Sequence, residues 1–258
     1  MIDFLPNYPA LLLIFVRVAS FFLMMPLFSY RTIPATHKIG LSLALSWIIF
    51  YAIHAPSMEV NGIFFLLIIK EAAVGLLIGF TAYMILSAIQ IAGGFIDFQM
   101  GFSIANVIDP QTGAQSPLMG QYFYTFGLMT LLTLNGHHLL IDGIFYSYRF
   151  IPLTQPWLPL GQANIAEYMI RSFNTMFMIA LQMSIPVVGS LFLVDIALGV
   201  VARTVPQMNI FVVGAPVKTI ASFIIIIVVM GVMMAVVQNL FETMLVTMRD
   251  VMRLLGGS

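Results

Sequence analysis

Between two strongly apolar stretches, residues 93–121 run as GGFIDFQMGFSIANVIDPQTGAQSPLMGQ, rich in Gly, Asn, Gln and Pro and without one Lys or Arg. Backbone that is neither helical nor part of a closed sheet cannot face lipid, because every unpaired N–H or C=O is costly in hydrocarbon. Such a segment must be packed in protein, line a water-filled cavity or lie outside the membrane. In a chain this apolar, the reason to keep one is a conduit.

Of the 258 residues, 61% are hydrophobic and only 8% charged, against roughly 25% charged in a soluble domain. Lipid or other apolar protein is therefore the solvent for most of the chain, which reads as an integral membrane protein. Ten basic residues balance ten acidic ones, and no Lys/Arg cluster follows a phosphate backbone, so nucleic acid is not expected as a partner. Cysteine is absent, which removes thiol catalysis, disulfides and Cys-ligated metals together. The start, MIDFLPNYPALLLIF, has an acidic residue and two prolines where a cleavable signal carries positive charge, and reads as the start of the mature protein.

Six apolar segments are expected to be helices: 10–28, interrupted by Arg17; 39–53; 62–92, carrying Lys70 and Glu71; 122–140; 168–194; and 210–237. The second is short for a hydrocarbon core of ~30 Å, which needs about 20 residues. Pro186 removes a helix hydrogen bond and is expected to kink the fifth. In the tail, Phe241, Met244, Leu245, Met248, Val251, Met252 and Leu255 recur at steps of three and four, which predicts an amphipathic helix over 238–255. Charge gives no consistent topology. Arg31 and Lys38 assign the loop 29–38 to the cytoplasm, yet after six crossings Arg249 and Arg253 would lie on the opposite side. Either one segment does not cross, or the helices do not lie across the bilayer in the ordinary way.

An ionised side chain at the centre of a membrane helix costs roughly 2.5–3.5 kcal/mol. Arg17, Lys70, Glu71, Asp97 and Asp195 are therefore expected to face protein or water and to be paired, either as structural ion pairs or as a polar seam. Neighbours on a helix point about 100° apart, so Lys70 and Glu71 are expected to reach separate partners rather than each other. The sequence Asn135-Gly136-His137-His138 ends the fourth segment. Two adjacent His do not share a helix face as ligands at i and i+4 do, so a cap and interfacial anchor is expected there rather than a metal site. Most of the 19 Met suit apolar packing, but Met100 and Met119 flank the irregular segment and are placed to line a channel with it.

Gly93-Gly94, Asp97, Gln99, Gly101-Phe102, Ala105 and Asp109-Pro110, followed by Arg203, Pro206-Gln207-Met208-Asn209, Phe211, Pro216 and Lys218, resemble the FliR family of flagellar export-gate proteins, called SctT in injectisomes. Arg17, Pro26, Lys70-Glu71, Gly75, Gly79 and Asn135-Gly136 extend the resemblance over nearly the whole chain. It implies an all-α integral membrane protein of about six long apolar helices, kinked and arranged as helical hairpins in an export-gate assembly rather than as simple spans. It further implies a FliP-like part over 1–165, including a plug loop at about 101–121, and a FliQ-like hairpin with an amphipathic C-terminal helix over 166–258.

The implied function is non-enzymatic and needs no cofactor. The chain would be a subunit of the type III secretion export gate in the inner membrane, at the flagellar basal body. Its implied partners are FliP, FliQ and FlhB homologues, membrane lipid, and unfolded flagellar substrates in transit. Loop 101–117 would plug the pore, with Met100, Gly101, Phe102, Ile104, Asn106, Asp109, Pro110, Gln111, Gln115 and Met119 as its working residues. Asp109-Pro110 stops helix propagation, Gly101 permits a tight turn, and the Asn and Gln amides can hydrogen-bond to one another or to pore water. Arg203 and Lys218 would set two cations near one cytoplasmic opening, where they would pair with carboxylates of neighbouring subunits. An injectisome subunit is the alternative within the family. A secondary transporter should show an inverted repeat, which is not found, and an intramembrane enzyme would have only His137-His138 to offer.

Overall fold

The computed structural model describes residues 8–29, 33–102, 107–108, 115–159, 163–205 and 210–257. Seven helices carry these residues: α1 (Tyr8–Met24), α2 (Ala35–Ala52), α3 (Gly62–Met100), α4 (Leu118–Thr133), α5 (Gly136–Phe150), α6 (Ala163–Thr204) and α7 (Ile210–Gly256). Two short strands, β1 (Val107–Ile108) and β2 (Gln115–Ser116), lie between α3 and α4.

Among the described residues three helices, α3, α6 and α7, are long and apolar enough to cross a membrane, against an expectation of about six long apolar helices. At 1.5 Å per residue, the 42 residues of α6 extend about 63 Å, twice the thickness of a hydrocarbon core. Such a helix is no minimal span. α6 also runs through Pro186 without interruption.

Helix ends differ from the sequence reading, most consequentially at α3 and α4; α6 also reaches beyond the expected 168–194 to 163–204, and α7 takes in the expected tail helix. α3 begins under an N-cap, where Asn61 Oδ1 accepts the Phe64 N–H at 3.1 Å. It then passes through Gly93-Gly94 and stops only at Gly101, whose φ of +87° takes the left-handed conformation that closes a helix. The non-helical part of the polar stretch is thus shorter than 93–121. The fourth apolar segment is likewise not one helix: Asn135, at φ +56°, breaks it into α4 and α5. The break falls at the polar Asn135-Gly136-His137-His138 run, where a left-handed residue closes one helix before the next begins.

The chain forms two compact units, neither contiguous in sequence. Unit 1 comprises residues 1–85, 134–173 and 242–258. Its core is built from Leu13, Ile14, Val18 and Phe21 of α1, Val74 and Ile78 of α3, Leu140 and Ile144 of α5, and Met244, Met248 and Leu255 of α7. The period-3.6 pattern in the tail thereby lands on the protein interior, within the continuous α7. Gly75 and Gly79 bring α3 against α1. A Cβ at Gly75 would fall 2.2 Å from the Arg17 carbonyl, and one at Gly79 would fall 2.9 Å from the Phe21 carbonyl. The constant offset between 17 and 75 and between 21 and 79 means that the two helices run parallel along a seam of small residues.

Unit 2 comprises residues 86–133 and 174–241. α3 and α4 are antiparallel within it, with Gly93 against Gly120 and Ile89 against Gly127. α6 and α7 form a second antiparallel pair: Leu198 touches the Gly214 position, and Asp195 meets Lys218 one turn further along each helix. The buried side chains of this unit include Ile89, Ile96, Phe123, Leu131, Met183, Val187, Met233 and Val237.

Candidate functional site: a buried charge cluster and a clamped loop base

In unit 1 the face of α3 that carries Gly75 and Gly79 also carries Glu71, one turn earlier. The seam therefore delivers Arg17 of α1 onto that carboxylate. Arg17 donates through Nε and Nη2 to the two oxygens of Glu71, a bidentate fork in which neither side chain has any exposure. The remaining guanidinium hydrogens reach Ser147 Oγ at 2.9 Å and the Ile151 carbonyl at 2.8 Å. The Tyr148 ring lies beneath Arg17 at 4.1 Å, and its hydroxyl donates to the Ile14 carbonyl at 3.3 Å. Burial holds that phenol well above its ordinary range, so it serves as a neutral donor.

Lys70 donates to the Pro152 carbonyl at 3.0 Å and also forms an ion pair with Glu71. This corrects the expectation that the two neighbours would not meet. Their Cβ atoms diverge as helix geometry requires, but the four-methylene stem of Lys70 swings its ammonium round to the Glu71 carboxylate. One carboxylate thus serves two cations, and carbonyls from the chain after α5 complete the shell. Ser147, Tyr148, Ile151 and Pro152 escaped the sequence reading. A hydroxyl and two carbonyls some eighty or more residues from the charges they satisfy leave no local signal.

In unit 2 the loop between α3 and α4 is held at its base. Asp97 is buried, and its two oxygens accept the Met119 N–H at 3.2 and 3.0 Å. Met119 is the second residue of α4, so the carboxylate caps a helix N-terminus from a neighbouring helix. Beside this cap the backbones cross so closely that a Cβ at Gly93 would lie 2.2 Å from Gly120 Cα. The ends of the loop are joined again where β1 and β2 pair antiparallel, Val107 with Ser116 and Ile108 with Gln115. Met100 and Met119, at the two sides of this base, are both buried. Gly101 forms the turn, and Phe102 is half-buried. Ile104, Asn106, Asp109, Pro110 and Gln111 lie outside the described residues, and Gln115 is described only through its backbone pairing.

The third constellation of charges is in the α6–α7 hairpin. Lys218 Nζ lies 2.8 Å from Asp195 Oδ2, and Gln99 Nε2 donates to the same oxygen at 2.8 Å. Lys218 therefore has a carboxylate within its own hairpin, whereas its expected partners were carboxylates of neighbouring subunits. Arg203 stands exposed in the last turn of α6, and Pro206 lies outside the described residues. All five charges expected to find partners, Arg17, Lys70, Glu71, Asp97 and Asp195, have them. The His137 and His138 rings lie 4.1 Å apart between centroids, tilted by 39°; the expected cap is not formed, since Asn135 makes no side-chain cap hydrogen bond and the buried His137 Nδ1 has no partner among the described residues. Among the described residues no group of His, Asp and Glu is arranged to hold a metal ion.

Residues 8–244 match the family model described as Bacterial export proteins, family 1. The chain belongs to this family. It is 55% identical over 252 residues, 97% of each chain, to the flagellar biosynthetic protein FliR of Bacillus subtilis (strain 168). To the protein of the same name in Escherichia coli (strain K12) it is 26% identical over 236 residues, 91% of this chain and 89% of the relative. To the Yop proteins translocation protein T of Yersinia pestis it is 28% identical over 222 residues, 84% of each chain. These relatives make the family the FliR/SctT family of type III export, and this member is an apolar, helical export-apparatus protein. The FliR-like residues quoted from the sequence fall where helices are tied together: Arg17, Lys70, Glu71, Gly75 and Gly79 along the α1–α3 seam, Gly93 and Asp97 at the loop base, and Gln99 and Lys218 around Asp195.

Proposed function

We infer that this chain is a subunit of the flagellar type III export gate in the inner membrane, at the basal body. With FliP-like and FliQ-like subunits it forms the channel through which unfolded flagellar proteins pass, and an FlhB-like protein binds the assembly. In this reading residues 1–165 are the FliP-like part, residues 166–258 the FliQ-like hairpin, and loop 101–117 the plug of the closed pore. The 55% identity over 97% of the chain to one flagellar relative supports flagellar use.

The clamped loop base carries the reading. Three independent devices, the Asp97 cap, the Gly93–Gly120 crossing and the β1–β2 pairing, hold the two ends of a polar loop together. A plug needs this division: a base that does not move and a body held by bonds that are individually modest, about 0.5–1.5 kcal/mol net for each hydrogen bond. The need for partners is supported by bare apolar surface on the hairpin. Ile227 and Val228 of α7 are 74% and 76% exposed, and Leu193 of α6 is 66% exposed. Faces of this kind mark contact with lipid or other subunits.

The test is membrane leakage. Deleting residues 109–114, between the paired strands of the base, should leave the complex assembled and raise conductance and sensitivity to small solutes. Replacing the same residues by an equally long Gly/Ser segment controls for length. A deletion that assembles normally and leaks no more than the intact complex removes the plug from the account.

A further inference from the structure

Arg249 and Arg253, the residues that spoil the charge topology, meet Arg149 in one place. A cavity of about 580 Å³ opens in unit 1 between α5 and the last turns of α7, and all three arginines line it. The helical spacing explains why. Asp142 and Arg149 are two turns apart on α5, and Arg249 and Arg253 are one turn apart on α7, so each helix turns its charges into the same opening.

The charge does not cancel. Asp142 is the one carboxylate among the lining residues, against three guanidiniums. Arg253 leans toward Asp250 at 3.8 Å and lies 6.0 Å above the Phe150 ring, while Asp250 itself accepts the Tyr168 hydroxyl at 2.8 Å. Arg149 rests on the Tyr146 ring at 4.9 Å, which orients the guanidinium plane without using its N–H donors. Among the described residues no carboxylate forms an ion pair with Arg149 or Arg249. Two exposed guanidiniums facing one cavity are the arrangement that bidentate recognition of phosphate uses.

The surroundings decide the source of the phosphate. Leu139 and Tyr146 line the opening with 46% of the surface of each exposed, and Leu245 of α7 lines it beside them. An aromatic ring and apolar side chains next to basic heads match the headgroup level of a bilayer, where acyl chains leave along the apolar side and the phosphate stays with the cations. The volume is that of a small-molecule site, within the usual range of about 300–1,000 Å³. We propose that this cavity binds the phosphate-bearing headgroup of an anionic phospholipid, with Arg149 and Arg249 as its phosphate ligands and Asp142 as the group that moderates its affinity.

The test is native mass spectrometry of the full-length protein, co-purified with its partners, titrated with phosphatidylglycerol or phosphatidylcholine. Phosphatidylglycerol should be retained about tenfold more tightly, by one molecule per chain. Arg149→Gln/Arg249→Gln should abolish that preference, and Arg171→Gln, an exposed arginine elsewhere on α6, should keep it. Asp142→Asn should tighten phosphatidylglycerol by about fivefold, a gain that misfolding cannot imitate. Soluble glycerol phosphate at equal concentration should not displace the lipid. Equal retention of both lipids, an unchanged preference in the double variant or weaker binding in Asp142→Asn overturns the proposal. Displacement by glycerol phosphate assigns the site to a free phosphate and overturns the lipid source. Loss of a partner subunit from the double variant, with the lipid preference intact, assigns the arginines to a protein contact instead.

Discussion

Replacing Glu71 by Gln removes the single negative charge from a site that holds two buried cations. Arg17 has no exposure and Lys70 is 5% exposed, so water cannot take over from the lost carboxylate. Breaking a buried ion pair by removing one partner costs about 3–5 kcal/mol, a large share of a total stability of about 5–15 kcal/mol. At roughly 2–4 °C per kcal/mol for a chain of this size, the melting temperature should fall by about 6–20 °C.

Arg17→Met makes the opposite change. It leaves Lys70 and Glu71 as a neutral pair and orphans chiefly the Ile151 carbonyl, at a cost of about 1–3 kcal/mol. The sharpest expectation concerns the double variant. Removing Arg17 in the Glu71→Gln background returns the site to one excess positive charge, as in the native protein, so Arg17→Met/Glu71→Gln should melt above Glu71→Gln alone. The assay is thermal melting of the full-length protein co-purified with its partners, together with its steady-state amount in cells. A double variant that melts at or below Glu71→Gln, or a Glu71→Gln no worse than Arg17→Met, would show that charge balance does not govern this site.

Gly93→Ala places a methyl group 2.2 Å from Gly120 Cα, where ordinary contact needs at least 3.4 Å. Neither backbone can rotate away, so α3 and α4 must part by about an ångström, at about 1–3 kcal/mol; melting should drop and resting leakage rise. Gly94→Ala is the control, since its nearest neighbour is the ring of Pro117 at 3.3 Å, and equal behaviour of the two variants would remove the crossing as a clamp. Lys218→Gln should change stability by less than about 1 kcal/mol, because the pair with Asp195 is partly exposed, at 19% and 39%. Asp195→Ala should cost more, as it deprives Gln99 and Lys218 of one shared acceptor, and the two melting curves decide that order.

Composition and periodicity determined the solvent and the secondary structure. With so few charges, the chain has to bury helices in lipid or protein, and every intramembrane charge must be met, which made Arg17, Lys70, Glu71, Asp97 and Asp195 legible as residues in need of partners. The tail spacing from Phe241 to Leu255 was legible as one apolar helical face for the same reason: helical periodicity is local.

Only the tertiary structure decided who the partners are. Ser147 and the Ile151 and Pro152 carbonyls reach the charge cluster because Gly75 and Gly79 let α1 and α3 approach, and that approach depends on atoms far apart in sequence. The extent of the polar stretch was misjudged because Gly93, a poor helix former on propensity, is needed where α3 crosses α4; packing there outweighs about 1 kcal/mol of intrinsic preference. The split between α4 and α5 turned on one left-handed residue, Asn135, at the head of the polar run Asn135-Gly136-His137-His138. Arg149, Arg249 and Arg253 read in sequence as a contradiction of topology. Folding places them in one cavity, because a hundred residues of chain return the end of α7 to α5, and a linear count of charges has no term for that return.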